Sequence, residues 1–265
     1  MKCPHCNEIL PDTAIKCKFC RKSVLRVKQR PIVNIEGDYP PWKIDELFIP
    51  FVIVFFLGII PGFITLFLET LIGNEALAES SFYQIILLII DLLPQILIVA
   101  VIYFIVTMYH KMKFVSGLKL NKPKNSILFL LAPLTAAMFL LTWLINKFQL
   151  PLNIPIEKTT LTLPMYILIL FNIIFVEPIV EQIFWTGFVY PAINRKYGMH
   201  IAIILTSVLF TLFCLPNSFV AVCSALLLGF SVVALRALTQ STLACVLLHI
   251  SYNLVTSIVY LIFTK

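Results

Sequence analysis

Two pairs of polar residues stand at helical spacing inside strongly apolar sequence: Glu177 with Glu181, and His249 with Asn253. Residues four apart share one helix face, so each pair would meet the same neighbour. An ionisable group in hydrocarbon costs at least roughly 2.5–3.5 kcal/mol on insertion scales, which makes each a candidate site. A carboxylate facing a histidine and a carboxamide can support peptide hydrolysis. The carboxylate takes a proton from water, and the His/Asn pair donates to the developing oxyanion. The same side chains could equally form a structural network between helices, at roughly 0.6–2 kcal/mol per bond. Spacing alone leaves both open. Of the other polar residues in apolar runs, Glu69 and Arg236 lie near run ends and are expected to snorkel. Asp91 precedes Pro94-Gln95 in mid-run and is expected to mark a kink or a helix pairing.

A second constellation lies in the hydrophilic head, where Cys3-Pro4-His5-Cys6 is followed by Cys17-Lys18-Phe19-Cys20. Two such knuckles suit tetrahedral zinc, because each short loop points two thiolates at one centre. Cys3, Cys6, Cys17 and Cys20 fill that shell without His5. Lys2, Lys16, Lys18, Arg21 and Lys22 would offset its negative charge. So short a segment builds no core of its own, so structural zinc would supply its folding free energy. A redox pair or an unstructured tail is the alternative. The pattern resembles the short zinc ribbons that open many bacterial membrane proteins.

These residues need helices in a membrane to position them. Of the 265 residues, 60% are hydrophobic and 12% charged, and the mean hydropathy is +0.98. Soluble domains carry roughly 45–50% apolar and about 25% charged residues, so this chain needs lipid as its solvent. Its net charge of +7 comes from the head and from loops between apolar runs. That distribution argues for a membrane and against nucleic acid as partner. No secretory signal is visible, and the first apolar run should serve as the membrane address. A span needs about 20 apolar residues. The candidates are Leu47–Ile72, Ile85–Tyr109, Ser126–Asn146, Pro164–Gly187, Ile201–Pro216, Phe219–Leu238 and Thr242–Phe263. The expected fold is therefore an all-α polytopic bundle of about seven transmembrane helices with a small N-terminal zinc ribbon. Its divisions are 1–24 for the ribbon, 25–46 for a proline-bearing linker, and 47–265 for the helical domain. Trp42 is expected as an interfacial anchor. Lys111, Lys113, Lys119, Lys122 and Lys124 in one loop, with Arg195 and Lys196 in another, predict a cytosolic N-terminus and an extracytoplasmic C-terminus. The expected location is the cell membrane.

Three segments resemble the signatures of the CPBP family, the CAAX proteases and bacteriocin-processing or Abi proteins. Pro178-Ile179-Val180-Glu181-Gln182-Ile183-Phe184-Trp185-Thr186-Gly187-Phe188 resembles the first, usually a Glu-Glu pair, three residues, then Arg-Gly. Phe210 through Cys214 stands where the second has Phe, three residues and His. His249 through Asn253 matches the third. The resemblance runs from about residue 47 to the end and implies a helical intramembrane endopeptidase acting on a membrane protein or peptide. By that resemblance Glu181 is the base and His249 with Asn253 are the oxyanion donors. This chain departs at Gln182, Thr186 and Cys214. Gln182 with Thr186 removes two charges together, which avoids one unpaired buried ion. Cys214 is a poor partner for activating water. It could instead be a nucleophile raised by His249, or could share a catalytic metal with Glu181 and His249. Two other classes stay open: a catalytically silent scaffold that binds a partner protein and, more distantly, a small-solute transporter.

Overall fold

The computed structural model describes residues 6, 8–9, 17–21, 40–72, 81–147, 163–214 and 218–263. The chain divides into two compact units, Met1–Asp38 and Tyr39–Lys265. In the larger unit the described chain forms seven main helices: α1 Phe48–Ile72, α2 Ser81–Tyr103, α3 Asn125–Lys147, α4 Leu163–Tyr197, α5 Met199–Phe213, α6 Phe219–Thr239 and α7 Thr242–Phe263. Each lies on one of the expected spans. Among the described residues five helices are long and apolar enough to cross a membrane, and these fall in α2, α3, α4, α6 and α7. α1 adds a further apolar helix of 25 residues. The chain is thus a multi-pass membrane protein built of helices. Large apolar side chains stand outward, Phe129, Leu212 and Phe230 among them, as lipid-facing surfaces require.

α5 differs from the rest. Its 15 residues rise only about 22 Å, short of the roughly 30 Å of hydrocarbon. It begins at Gly198, whose φ of +82 only glycine adopts without strain, and it packs against α4 and α6. Gly229 of α6 makes that second contact close. A β-carbon there would stand 2.8 Å from the Phe210 ring.

α4 is the element that organises the bundle. It is longer than its expected span, running 35 residues from Leu163 to Tyr197. Gly187 does not stop it. A β-carbon at Gly187 would stand at ordinary contact distance from Thr242, 3.4 Å, and Leu118, 3.5 Å. Twice α4 widens into π-type turns, at Asn172–Val176 and Ile183–Val189. Each stretch ends just before a proline, Pro178 and Pro191 respectively. A proline ring in a regular helix collides with the carbonyl four residues back, and a wider turn relieves that collision.

The wider winding has a second consequence. Glu177 N–H donates five residues back, to Asn172, and Tyr190 N–H likewise donates to Trp185. In that register the next acceptors, Ile173 and Thr186, look to Pro178 and Pro191, which have no N–H. Both carbonyls take donors from other helices instead. Asn253 Nδ2 of α7 donates to Ile173 at 2.8 Å, and Arg236 Nε of α6 donates to Thr186 at 3.1 Å.

A third tie comes from the segment ahead of α1. Trp42 was expected to sit at the membrane interface, yet it is fully buried. Its indole N–H donates to the Phe188 carbonyl at 2.9 Å, and its ring stacks on Phe188 at 5.2 Å. Arg195 Nη1 donates to the carbonyls of Pro40 at 2.7 Å and Pro41 at 3.0 Å. Glu46 meets His110 at 2.6 Å just beyond α2. Residues 40–47 therefore strap α2 to α4. A large aromatic with one polar atom anchors here because both its area and its donor find partners. Trp42→Phe keeps most of the area and removes the donor. The expected loss is about 1–2 kcal/mol, read as a lower midpoint of thermal unfolding in nanodiscs, with no change in helix content at room temperature.

Candidate functional site

Between its two widened stretches α4 returns to regular winding over Glu177–Gln182. Those six residues carry three of the polar side chains singled out in the sequence. Asn172 Nδ2 donates to Glu177 Oε1 at 3.0 Å, across the first widened stretch. Glu181 Oε2 faces α7, 3.7 Å from His249 Nδ1. That is a close approach, but too long for a hydrogen bond. Gln182, the next residue, does reach the ring, with Nε2 at 3.1 Å from the same Nδ1. His249 and Gln182 are buried, whereas the Glu181 side chain keeps 35% of its surface open. A partly open carboxylate beside a buried imidazole is suited to hold and pass a proton.

The surroundings fix that geometry. The His249 ring lies edge-on to Phe210 of α5, with centroids 6.1 Å apart. Thr186 Oγ1 donates to the Gln182 carbonyl at 2.8 Å. One turn from His249, the Cys245 thiol contacts the Val232 carbonyl of α6 at 3.1 Å. α5 and α6 thus pack on α7 on either side of His249's turn.

The structure brings Glu181, Gln182 and His249 together. Asn253 lies one turn further along α7, where one N–H is given to Ile173. Cys214 caps the C-terminal end of α5 and is exposed. Its thiol forms no hydrogen bond to His249.

Arg236 is the residue that sequence reasoning misplaced. It was expected to snorkel from a helix end, yet it is fully buried. Its guanidinium bonds the Thr186 carbonyl and lies 5.8 Å from the Tyr190 ring. Pro191 signals an orphaned carbonyl one turn back, but regular winding would make it that of Gly187, and only the widened stretch moves the loss to Thr186. Which distant side chain would supply the replacement is not written locally.

In the smaller unit, Cys6, Cys17 and Cys20 bring their sulfur atoms within 4.8 Å of one another. The Cys6 and Cys17 sulfurs are 3.5 Å apart, and the Cys20 N–H points at the Cys17 sulfur, also at 3.5 Å. That N–H is the main reason the Cys17 thiol is lowered from 9.0 to about 7. Thiolates about 2.3 Å from a tetrahedral zinc stand roughly 3.8 Å apart, so the three sulfurs fit three corners of such a site. Cys3, expected as the fourth ligand, lies outside the described residues, as does His5.

Residues 163–255 match the family model described as type II CAAX prenyl endopeptidase Rce1-like. The matched stretch takes in α4 through most of α7 and contains Glu181, Gln182, Cys214, His249 and Asn253. It supports the CPBP resemblance and, at the level of family, a CAAX-protease-like intramembrane endopeptidase. No curated protein and no solved structure matches the chain.

Replacing Arg236 by methionine keeps the apolar stem and leaves the Thr186 carbonyl without its side-chain donor. We expect a loss of about 1–3 kcal/mol, measured as a lower unfolding midpoint in detergent titration. Arg236→Lys should recover part of it.

Proposed function

We propose, taking residues 163–255 as a CAAX-protease-like core, that the chain is an intramembrane endopeptidase using Glu181 to activate water. The observation that carries this reading is the approach of Glu181 to His249 across α4 and α7, at 3.7 Å. Water between Glu181 and a substrate carbonyl would lose a proton to Glu181 as its oxygen attacks the carbonyl carbon. The oxyanion would take hydrogen bonds from His249 Nε2 and from the second N–H of Asn253. On collapse the C–N bond breaks, and Glu181 returns the proton to the leaving nitrogen. Gln182 and Thr186 hold the geometry without charge. The substrate class is a membrane protein or peptide, and the surrounding partner is the lipid bilayer.

A purified sample in nanodiscs, challenged with prenylated and unprenylated membrane peptides, tests this. Glu181→Ala should lower the cleavage rate by about 10²–10⁴, the range lost with a general base. Cleavage unaffected by that change would refute the assignment of Glu181.

Cys214 favours a second reading. It stands where the family's second signature has histidine, and its thiol does not reach His249. On that reading the core is a silent scaffold that binds a partner protein. Absence of cleavage across the peptides, together with a gain of activity in Cys214→His, would select it.

For the N-terminal unit we propose a structural zinc ribbon over residues 1–24, with Cys6, Cys17 and Cys20 as ligands and Cys3 completing the shell. A linker, expected over 25–46, would join it to the helical domain, expected over 47–265; residues 40–46 already pack as part of the larger unit, which begins at Tyr39. Basic residues in the loop after α2 and in the last turn of α4 support an N-terminus on the cytosolic side and a C-terminus outside. Elemental analysis should find one zinc per chain, lost in Cys17→Ser. Protein that carries no zinc under reducing conditions would remove the ribbon.

A further inference from the structure

Both Glu181 and Gln182 approach one nitrogen of His249, and they ask opposite things of it. A carboxylate can only accept, so it would draw a proton onto Nδ1. A carboxamide nitrogen can only donate, so it requires Nδ1 to be bare. The distances separate the two. Gln182 Nε2 stands at 3.1 Å, inside hydrogen-bond range. Glu181 Oε2 stands at 3.7 Å, outside it. A neutral imidazole that accepts on Nδ1 carries its proton on Nε2.

We infer that Gln182 is a positioning residue that fixes His249 as the Nε2–H tautomer, making the histidine a hydrogen-bond donor toward substrate and not a base. The inference rests on the peptidase reading for its purpose, but not for its geometry.

Gln182 is well held for that task. Its side chain is fully buried, and its main-chain carbonyl is tied by the Thr186 hydroxyl. Its Oε1 has no hydrogen-bond partner, so no competing donor turns the amide away from His249. Phe210 closes one side of the ring. The choice of glutamine therefore has a chemical meaning beyond loss of charge. An ionised glutamate at 182, with Thr186 in place of the arginine that accompanies the family's second glutamate, would accept from Nδ1–H and leave Nε2 bare, so that His249 could no longer donate to the oxyanion. With glutamine, the two roles separate: Glu181 takes the proton and His249 gives a hydrogen bond.

The tautomer can be read without any substrate. Full-length protein in nanodiscs, with histidine labelled in both ring nitrogens by ¹⁵N, reports protonated and bare nitrogens at distinct shifts. The His249 signals are assigned by their absence in His249→Gln. The wild type should show His249 with Nε2 protonated and Nδ1 bare. Gln182→Glu should reverse the pattern, and Gln182→Leu should give both tautomers in exchange. A wild-type spectrum with Nδ1 protonated overturns the inference, whatever the variants do. An unchanged spectrum in Gln182→Leu overturns it as well. If the Nε2–H tautomer is found and no peptide is cleaved, the peptidase reading fails while the role of Gln182 in holding the ring stands.

Discussion

A helix crossing hydrocarbon must satisfy its own backbone, because a carbonyl that loses its intrahelical donor finds no water to replace it. α4 breaks this rule twice and repairs it twice. Pro178 and Pro191 each follow a widened stretch, and each lacks the N–H that Ile173 and Thr186 would use in that register. The repairs come from Asn253 and Arg236, on two different helices. Those bonds cannot form unless α6 and α7 lie in one particular register against α4. The carbonyls of one irregular helix thus fix the positions of its neighbours.

The candidate site is a product of that register. Glu181 and Gln182 occupy the regular turn between the two widened stretches, and His249 lies on α7 one turn from Asn253. When Asn253 is anchored to Ile173, His249 is brought beside Gln182. Arg236 anchors the far side at Thr186, whose hydroxyl holds the Gln182 carbonyl in turn. A π-type widening beside polar residues is a recurrent mark of functional helices. Here it has a stated cause: two prolines, and donors from outside the helix. The strap from residues 40–47 adds a third outside donor, Trp42, to the same helix at Phe188.

Much of this was legible in the sequence, because the strongest signals were local. Apolar runs of membrane-spanning length marked the helices, and four-residue spacing placed Glu177 with Glu181 and His249 with Asn253. What was not legible depends on pairing across the bundle. Arg236 reads as a helix-end cation until the Thr186 carbonyl is known to lack a partner. Trp42 reads as an interfacial residue until Phe188 is found beneath it. Gln182 reads as a lost charge, and its hydrogen bond to His249 changes that into a selection of proton position. In each case local sequence gives the residue's chemistry, and only the fold gives its partner.

α4 and α7 meet through Gln182 and His249, and the rest of the site follows from that contact. A double-mutant cycle on unfolding free energy, with Gln182→Leu, His249→Leu and the pair, measures that contact directly. Hydrogen bonds between membrane helices couple by about 0.6 kcal/mol on average and up to roughly 1.7. We expect a coupling within that range, with the double variant losing less than the sum of the single losses. Strictly additive losses would contradict the contact and, with it, the placement of the site.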